Sequence, residues 1–257
     1  MDDSKYQCTN TNVIPLVMHR VVSDKPIDFE DIDISTLDFI AKSVGENWVT
    51  LENNNIPNAI SKKRSWLLTF DDGYLSDYQV VYPLLQSHGI MATFFLITNN
   101  VGEQGYVDWS HVREMHKAGM VFGSHSMNHL KMTTLTIKEA KDELIGSRKC
   151  LEDQLGEAVN LFSFPYGYYN RRLISLALEC GYKTCFVSNH GAVQLPSTII
   201  PRNSINGAMS SSSINKTLQA SLLTRICWGM EDAVKNTSKN LVGDKFYKNL
   251  RRYVSSE

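Results

Sequence analysis

Trp66-Leu67-Leu68-Thr69-Phe70-Asp71-Asp72-Gly73 joins an apolar run to two adjacent carboxylates and a glycine. The run Trp66–Phe70 has the length and the bulky apolar content of a strand covered on both faces, as strands of parallel sheets are. In parallel α/β folds functional groups collect where strands end, because the loops that follow are free to vary. Two acids at such an end therefore carry more meaning than two acids in a loop. Upstream, Val13-Ile14-Pro15-Leu16-Val17-Met18 is a second apolar run, ending on His19-Arg20. Downstream, strands are predicted over Ala92–Leu96, Met120–Gly123, Leu161–Phe164, Lys183–Val187 and Thr198–Ile200. Between them the apolar spacing changes to the helical period. A helix behind Ser35 carries Leu37, Ile40, Ala41 and Val44 on one face and stops at Gly45. Others are predicted over Ser76–Ser87, Ser110–Lys117, Ile137–Leu155 and Arg171–Cys180, most of them closed by a glycine. About seven strands alternating with helices imply a parallel sheet with helices outside, either doubly wound or closed as a barrel.

Composition bounds what such a fold can do. The chain has 257 residues, 42% hydrophobic and 21% charged, enough for one sizeable core. Its 26 basic residues balance 27 acidic ones, giving a formal charge of -1, so no global field favours nucleic acid or an anionic membrane as the main partner. Apolar stretches such as Met91–Ile97 are far shorter than the roughly 20 residues that span a bilayer. The polar start MDDSKYQCTNTN lacks the pattern of a secretory signal, so a cytoplasmic protein is expected. Five cysteines without a C-x-x-C pair fit reduced thiols and not a cysteine-based zinc knuckle. Residues 1–12 read as a loose tail, 13–209 as the α/β domain, and 210–257 as a linker, opened by Ser210–Ser213, with a basic helical tail. That tail carries Lys235, Lys239, Lys245, Lys248, Arg251 and Arg252 against Asp244 and Glu257. Its plain reading is a solvated helical face. The alternative is contact with the inner face of a membrane, since Leu241, Phe246, Tyr247, Leu250 and Tyr253 could form an apolar stripe.

The strand ends gather the ionisable groups. His19 follows the first strand, Asp71 and Asp72 the second, and His125-Ser126-Met127-Asn128-His129 the fourth. Pro165-Tyr166-Gly167 follows the fifth, Asn189-His190 the sixth, and Pro201-Arg202 the seventh. Two imidazoles and a carboxylate form a donor set suited to Zn²⁺ and related ions, and three protein ligands leave a position for water. Adjacent acids diverge along an extended chain, so one can bind metal while the other takes a proton. Each motif alone has a bland reading: H-x-x-x-H as a surface feature, Asp-Asp-Gly as a turn. Their occurrence together, each at a strand end, favours the catalytic one.

Thr69-Phe70-Asp71-Asp72-Gly73, His125-Ser126-Met127-Asn128-His129 and Phe162-Ser163-Phe164-Pro165-Tyr166-Gly167 resemble the first three motifs of the polysaccharide deacetylase family, carbohydrate esterase family four. Val17-Met18-His19-Arg20 is similar to the opening of members that act on surface polysaccharides. The resemblance spans about Trp66 to Asn206 and implies a distorted (β/α)7 barrel. It implies that Asp72, His125 and His129 bind a divalent metal, zinc by preference, and that Asp71 is the general base. It further implies that Pro165 and Tyr166 border the substrate, with the Tyr166 N–H on the oxyanion.

The chain departs from the family in two places. Ser163 stands where motif three commonly has Arg, and no late Leu-x-His supplies a general acid. Arg202 is the candidate for the charge that orients Asp71 and keeps it ionised. His19 is the candidate acid, since imidazole titrates near neutrality; His190 and protonated Asp71 are the alternatives. His88, His111 and His116 fall on predicted helices and read as packing or solvent residues, and Trp109 as a packing residue. The expected activity is metal-dependent removal of N-acetyl groups from an amino sugar of a surface glycan or its cytosolic or lipid-linked precursor. Removal of formyl, or glycan binding with little catalysis, are the rival readings.

Overall fold

The computed structural model describes residues 12–23, 26, 28–51 and 64–242, with side chains as far as residue 232. Its sheet contains β1 (Asn12–Met18), β2 (Arg64–Asp72), β3 (Thr93–Leu96), β4 (Val121–Ser124), β5 (Leu161–Ser163), β6 (Thr184–Val187), β7 (Ile199–Pro201) and β8 (Asn203–Ser204). All ladders are parallel, in the order β8-β1-β2-β3-β4-β5-β6-β7. Only Arg202 separates β7 from β8, so one pass of the chain pairs with β6 through Pro201 and with β1 through Asn203. The ring thus holds eight hydrogen-bonded strands in seven passes, the expected (β/α)7 barrel.

Below the β1–β8 ladder the seam is closed by an antiparallel bridge between Val13 and Val193 and, between the two, by a side chain. Asn203 Nδ2 donates to Pro15 O (2.9 Å) and Gly191 O (2.7 Å), and its Oδ1 accepts from Gly191 N. The amide and carbonyl of one strand residue point the same way, so the N–H that Pro15 lacks would have faced this seam, where no ladder needs it.

Alternation along the strands sorts their side chains into two cores. Leu68, Phe70, Phe94 and Phe122 face outward and pack with Leu37 and Ile40 of α1 (Ile34–Val44), Leu85 of α2 (Tyr82–Ser87) and Val112 and Met115 of α3 (Trp109–Lys117). Leu144 and Leu151 of α4 (Ile137–Leu155) and Leu173 and Leu176 of α5 (Arg171–Glu179) complete that layer. Val13, Leu67, Phe95, Leu161, Phe186 and Ile200 fill the barrel interior. Because Leu67 faces inward, Thr69 and Asp71 on the same strand do too, and Asp72 diverges from them at the rim.

Two expectations need correction. The helix predicted from Ser76 opens with a π-helical turn, Asp77–Val81, before α2. Ser210–Ser213 is no linker: Ser210 caps α6 (Ser211–Gln219), its hydroxyl accepting from Ser213 N, because a serine oxygen satisfies a helix's unpaired first-turn amides. Ile214 and Leu218 of α6 and Trp228 of α7 (Leu222–Val242) then join the outer core. The side chains of Lys235 and Lys239, and the rest of the basic tail beyond 242, lie outside the described residues. Among the described residues no helix is long and apolar enough to cross a membrane.

Candidate active site

Arg202 runs from the β7–β8 break into the barrel and is 1% exposed. Its Nη1 donates to Asp71 Oδ1 (2.7 Å) and Thr69 Oγ1 (3.2 Å), and its Nη2 to Asp71 Oδ2 (2.7 Å) and Ser163 Oγ (2.7 Å). Ser163 Oγ in turn donates to Asp71 Oδ2 at 3.1 Å. The guanidinium carbon lies 5.4 Å from the Phe95 ring centre and 5.7 Å from that of Phe186, so two aromatic rings flank the cation. Gly123 makes room for this arrangement, since a Cβ there would lie 2.5 Å from the Phe95 ring. Burial alone would raise the Asp71 carboxyl, but the Arg202 charge, with His125 beyond it, outweighs burial and holds it well below the usual carboxylate range. Of its two oxygens, Oδ2 is the one that approaches the histidine pair, 3.7 Å from His125 Nε2.

Asp72 is built differently. Its Oδ1 is buried without a hydrogen-bond partner and lies 3.5 Å from His125 Nε2 and 3.5 Å from His129 Nε2. Ligand bonds of about 2.1 Å in a tetrahedral shell place donor atoms about 3.4 Å apart, so the spacing suits a cation between them. The three donors all lie within 4.8 Å of one another. His125 Nδ1 is 2.8 Å from Ser163 O, a carbonyl that can only accept, so Nδ1 carries a proton and Nε2 is the nitrogen turned toward Asp72. Burial, then His125, lowers the His129 imidazole to about 4, so His129 is neutral at physiological pH. An orphaned carboxylate oxygen facing two imidazole nitrogens fits a divalent metal.

The loop that delivers the histidines is held from below and from the side. Glu143 of α4, itself buried, accepts from Met127 N (2.8 Å), Asn128 N (3.0 Å) and Asn128 Nδ2. Ser126 Oγ accepts from His129 N at 3.0 Å, and Thr98 N and Asn99 N donate to Ser126 O and Met127 O. Left-handed backbone concentrates here: Asp72, Ser126, His129 and Tyr166 have φ of 79°, 68°, 55° and 59°. Such conformations in non-glycine residues cost about 1–3 kcal/mol each and persist where the surroundings impose them.

Of the remaining expected residues, His19 ends β1 half-buried, within electrostatic reach of Asp71 and His129, with its Nδ1 buried and unbonded. Pro165 is buried, while the Tyr166 ring is half exposed and lies 4.4 Å, centre to centre, from the His129 ring. Gly167 is required beside it: φ is +66°, and a Cβ would lie 2.3 Å from Ser188 Cβ. His190 is committed elsewhere, its Nδ1 2.9 Å from Asp232 Oδ1 on α7. His88 and His111 pair with Asp38 and Asp108, His116 approaches Phe122, and Trp109 packs on the outer core. Sequence reasoning missed Ser163 as an active participant and missed Glu143 altogether. Glu143 had a signal, an acid in line with Ala140, Leu144 and Leu151 on the apolar face of a helix that follows the histidine motif.

Known proteins resemble this chain in sequence and in fold. The pattern of the family described as polysaccharide deacetylase matches residues 58–185. A peptidoglycan-N-acetylglucosamine deacetylase of Bacillus cereus is 33% identical over 48% of this chain and 56% of its own. The peptidoglycan-N-acetylmuramic acid deacetylase PdaA of Bacillus subtilis is 29% identical over 50% of this chain and 48% of its own. The chain thus spans about half the length of the curated relatives it matches. Among solved structures, the Streptococcus pyogenes deacetylase PplD superposes with a TM-score of 0.71 at 23% identity, covering 81% of this chain and 98% of that one, which shows the fold.

Proposed function

Since the chain belongs to the polysaccharide deacetylase family, we propose that it hydrolyses the N-acetyl groups of an amino sugar in a bacterial surface polysaccharide or its precursor. The observation that carries this is the pairing of a cation-ready triad with a separately held, ionised carboxylate one residue away. Asp72, His125 and His129 would hold the metal, for which zinc suits two imidazoles and one carboxylate. When bound it supplies Lewis acidity to the amide carbonyl and to the attacking water. Asp71 takes the water's proton, and Arg202 keeps it ionised until then. The Tyr166 N–H donates to the oxygen that gains charge, and the Tyr166 ring, beside His129, borders the sugar. His19 returns a proton to the departing amine, which cannot leave as an unprotonated anion.

The test is acetate release from N-acetylated glucosamine oligomers and peptidoglycan by the chelator-stripped chain, before and after zinc is restored. Zinc-dependent acetate is the expected result. Formate from an N-formyl sugar and no acetate would make it a deformylase; bound zinc and bound glycan with neither product would make it a binding protein.

A further inference from the structure

The four most exposed large apolar side chains among the described residues share one helix. Leu222, Leu223, Ile226 and Met230 of α7 are 77%, 75%, 53% and 65% exposed. Their offsets of one, four and eight residues put them on one side of the helix. The other side is docked. Trp228 is buried against the outer core and stacks on the His190 ring at 5.9 Å, and Asp232 accepts from His190 N at 2.9 Å. His190 follows Asn189, whose carbonyl accepts the N–H of Arg202 at 2.8 Å. The helix is therefore latched to the strand-end rim that carries Asp71, with its apolar side turned outward. In the same helix and the sequence after it, residues 235–257 hold Lys235, Lys239, Lys245, Lys248, Arg251 and Arg252 against Asp244 and Glu257.

We propose that this side of α7 rests on an anionic lipid surface. A water-exposed apolar stripe followed by an excess of cations is the combination that binds such a surface, the stripe entering the headgroup boundary and the cations attracted to the lipid charge. Each basic residue near an anionic membrane strengthens binding about fivefold. A second copy of the chain is the rival occupant, and the experiment below distinguishes it from a lipid surface. Through the His190 latch, the contact sets the mouth of the site beside the bilayer, where a lipid-linked glycan would present its sugars.

The experiment uses the full chain and its Leu223→Glu/Ile226→Glu variant. Each is co-sedimented with vesicles of phosphatidylcholine alone and of phosphatidylcholine mixed equally with phosphatidylglycerol, while acetate release from a soluble oligomer is measured alongside. The wild type is expected to bind only the anionic vesicles, more weakly as salt rises. The variant should bind at least about tenfold more weakly, with its soluble-substrate rate unchanged. Equal binding by wild type and variant overturns the proposal. So does a wild-type dimer, seen by light scattering, that ignores vesicles and falls apart in the variant. Vesicle binding is read whether or not any sugar is deacetylated, so its failure is distinct from failure of the proposed activity. Circular dichroism of the variant checks its fold, and Met230→Glu provides a milder second variant of the same stripe.

Discussion

Asp71 and Asp72 are joined by one peptide bond and end in differently built places. Asp71 points into the barrel, where Arg202 and Ser163 answer its charge. Asp72 turns to the rim on a left-handed backbone and leaves Oδ1 buried and unanswered, facing two imidazole nitrogens. A satisfied buried charge marks a group held in one protonation state; an unsatisfied one beside lone pairs marks a place for a cation. Exchanging a single atom at each position should therefore separate two functions. Asp71→Asn is expected to keep metal affinity and lower the deacetylation rate about 10²–10⁴-fold, the range of general-base catalysis. Asp72→Asn should weaken metal binding by more than about 100-fold, beyond what loss of a supporting hydrogen bond does. Competition with a chromophoric chelator, run beside the acetate assay, reads both. Loss of metal by Asp71→Asn would merge the two places into one.

The partner of Asp71 gives the next largest effect. Arg202→Met leaves a carboxylate buried inside the barrel without its cation, and breaking a buried pair this way destabilises by about 3–5 kcal/mol. Urea unfolding measures it. Adding Asp71→Asn to Arg202→Met should recover much of the loss, because the uncompensated charge is then gone. If the double variant is no more stable than Arg202→Met, the arginine matters for packing between Phe95 and Phe186 and not for charge.

On the Asp72 side the support is a buried glutamate that holds the histidine loop by its backbone, and its loss should be milder. Glu143→Ala frees Met127 N and Asn128 N, and with them the loop between the two histidines. Metal affinity is expected to fall about 10–100-fold, as for other groups that orient ligands. Glu143→Gln keeps an acceptor oxygen and should restore most of it. A uniform loss of stability in both variants, with metal affinity intact, would give Glu143 a role in the helix alone.

How much of this the sequence discloses follows from which forces are local. Strand and helix alternation, the glycine stops and the capping box at Thr136 and Glu139 are written in neighbouring residues, and the barrel follows from them. The triad was legible because its donors sit at strand ends within short motifs. The role of Ser163 was not, since a serine next to a strand end says nothing until Arg202 arrives from 39 positions away. The serine run at 210 misled because the same residue type serves linkers and helix caps, and only the buried Ile214 and Leu218 decide between them.

A third carboxylate sharpens the contrast. Asp77 opens the π-helical turn, is as buried as Asp71, and has no hydrogen-bond partner on either oxygen. Burial first, then the charges of Asp72 and Asp71, push its carboxyl well above the usual range. With the folded-state value raised, the folded chain keeps a proton that the unfolded chain releases above about pH 4, so stability falls as pH rises through that point. Asparagine has the same shape and never ionises. The metal-free Asp77→Asn variant should therefore be more stable than the wild type at pH 7, because it binds no proton whose release favours the unfolded chain, and nearly equal to it below about pH 4. Urea unfolding at both pH values gives the difference. With zinc saturating the triad, the advantage should shrink, because a cation near Asp72 offsets the negative charge that holds Asp77 neutral. A gain that is the same at both pH values would mean that Asp77 destabilises by its shape and not by its charge.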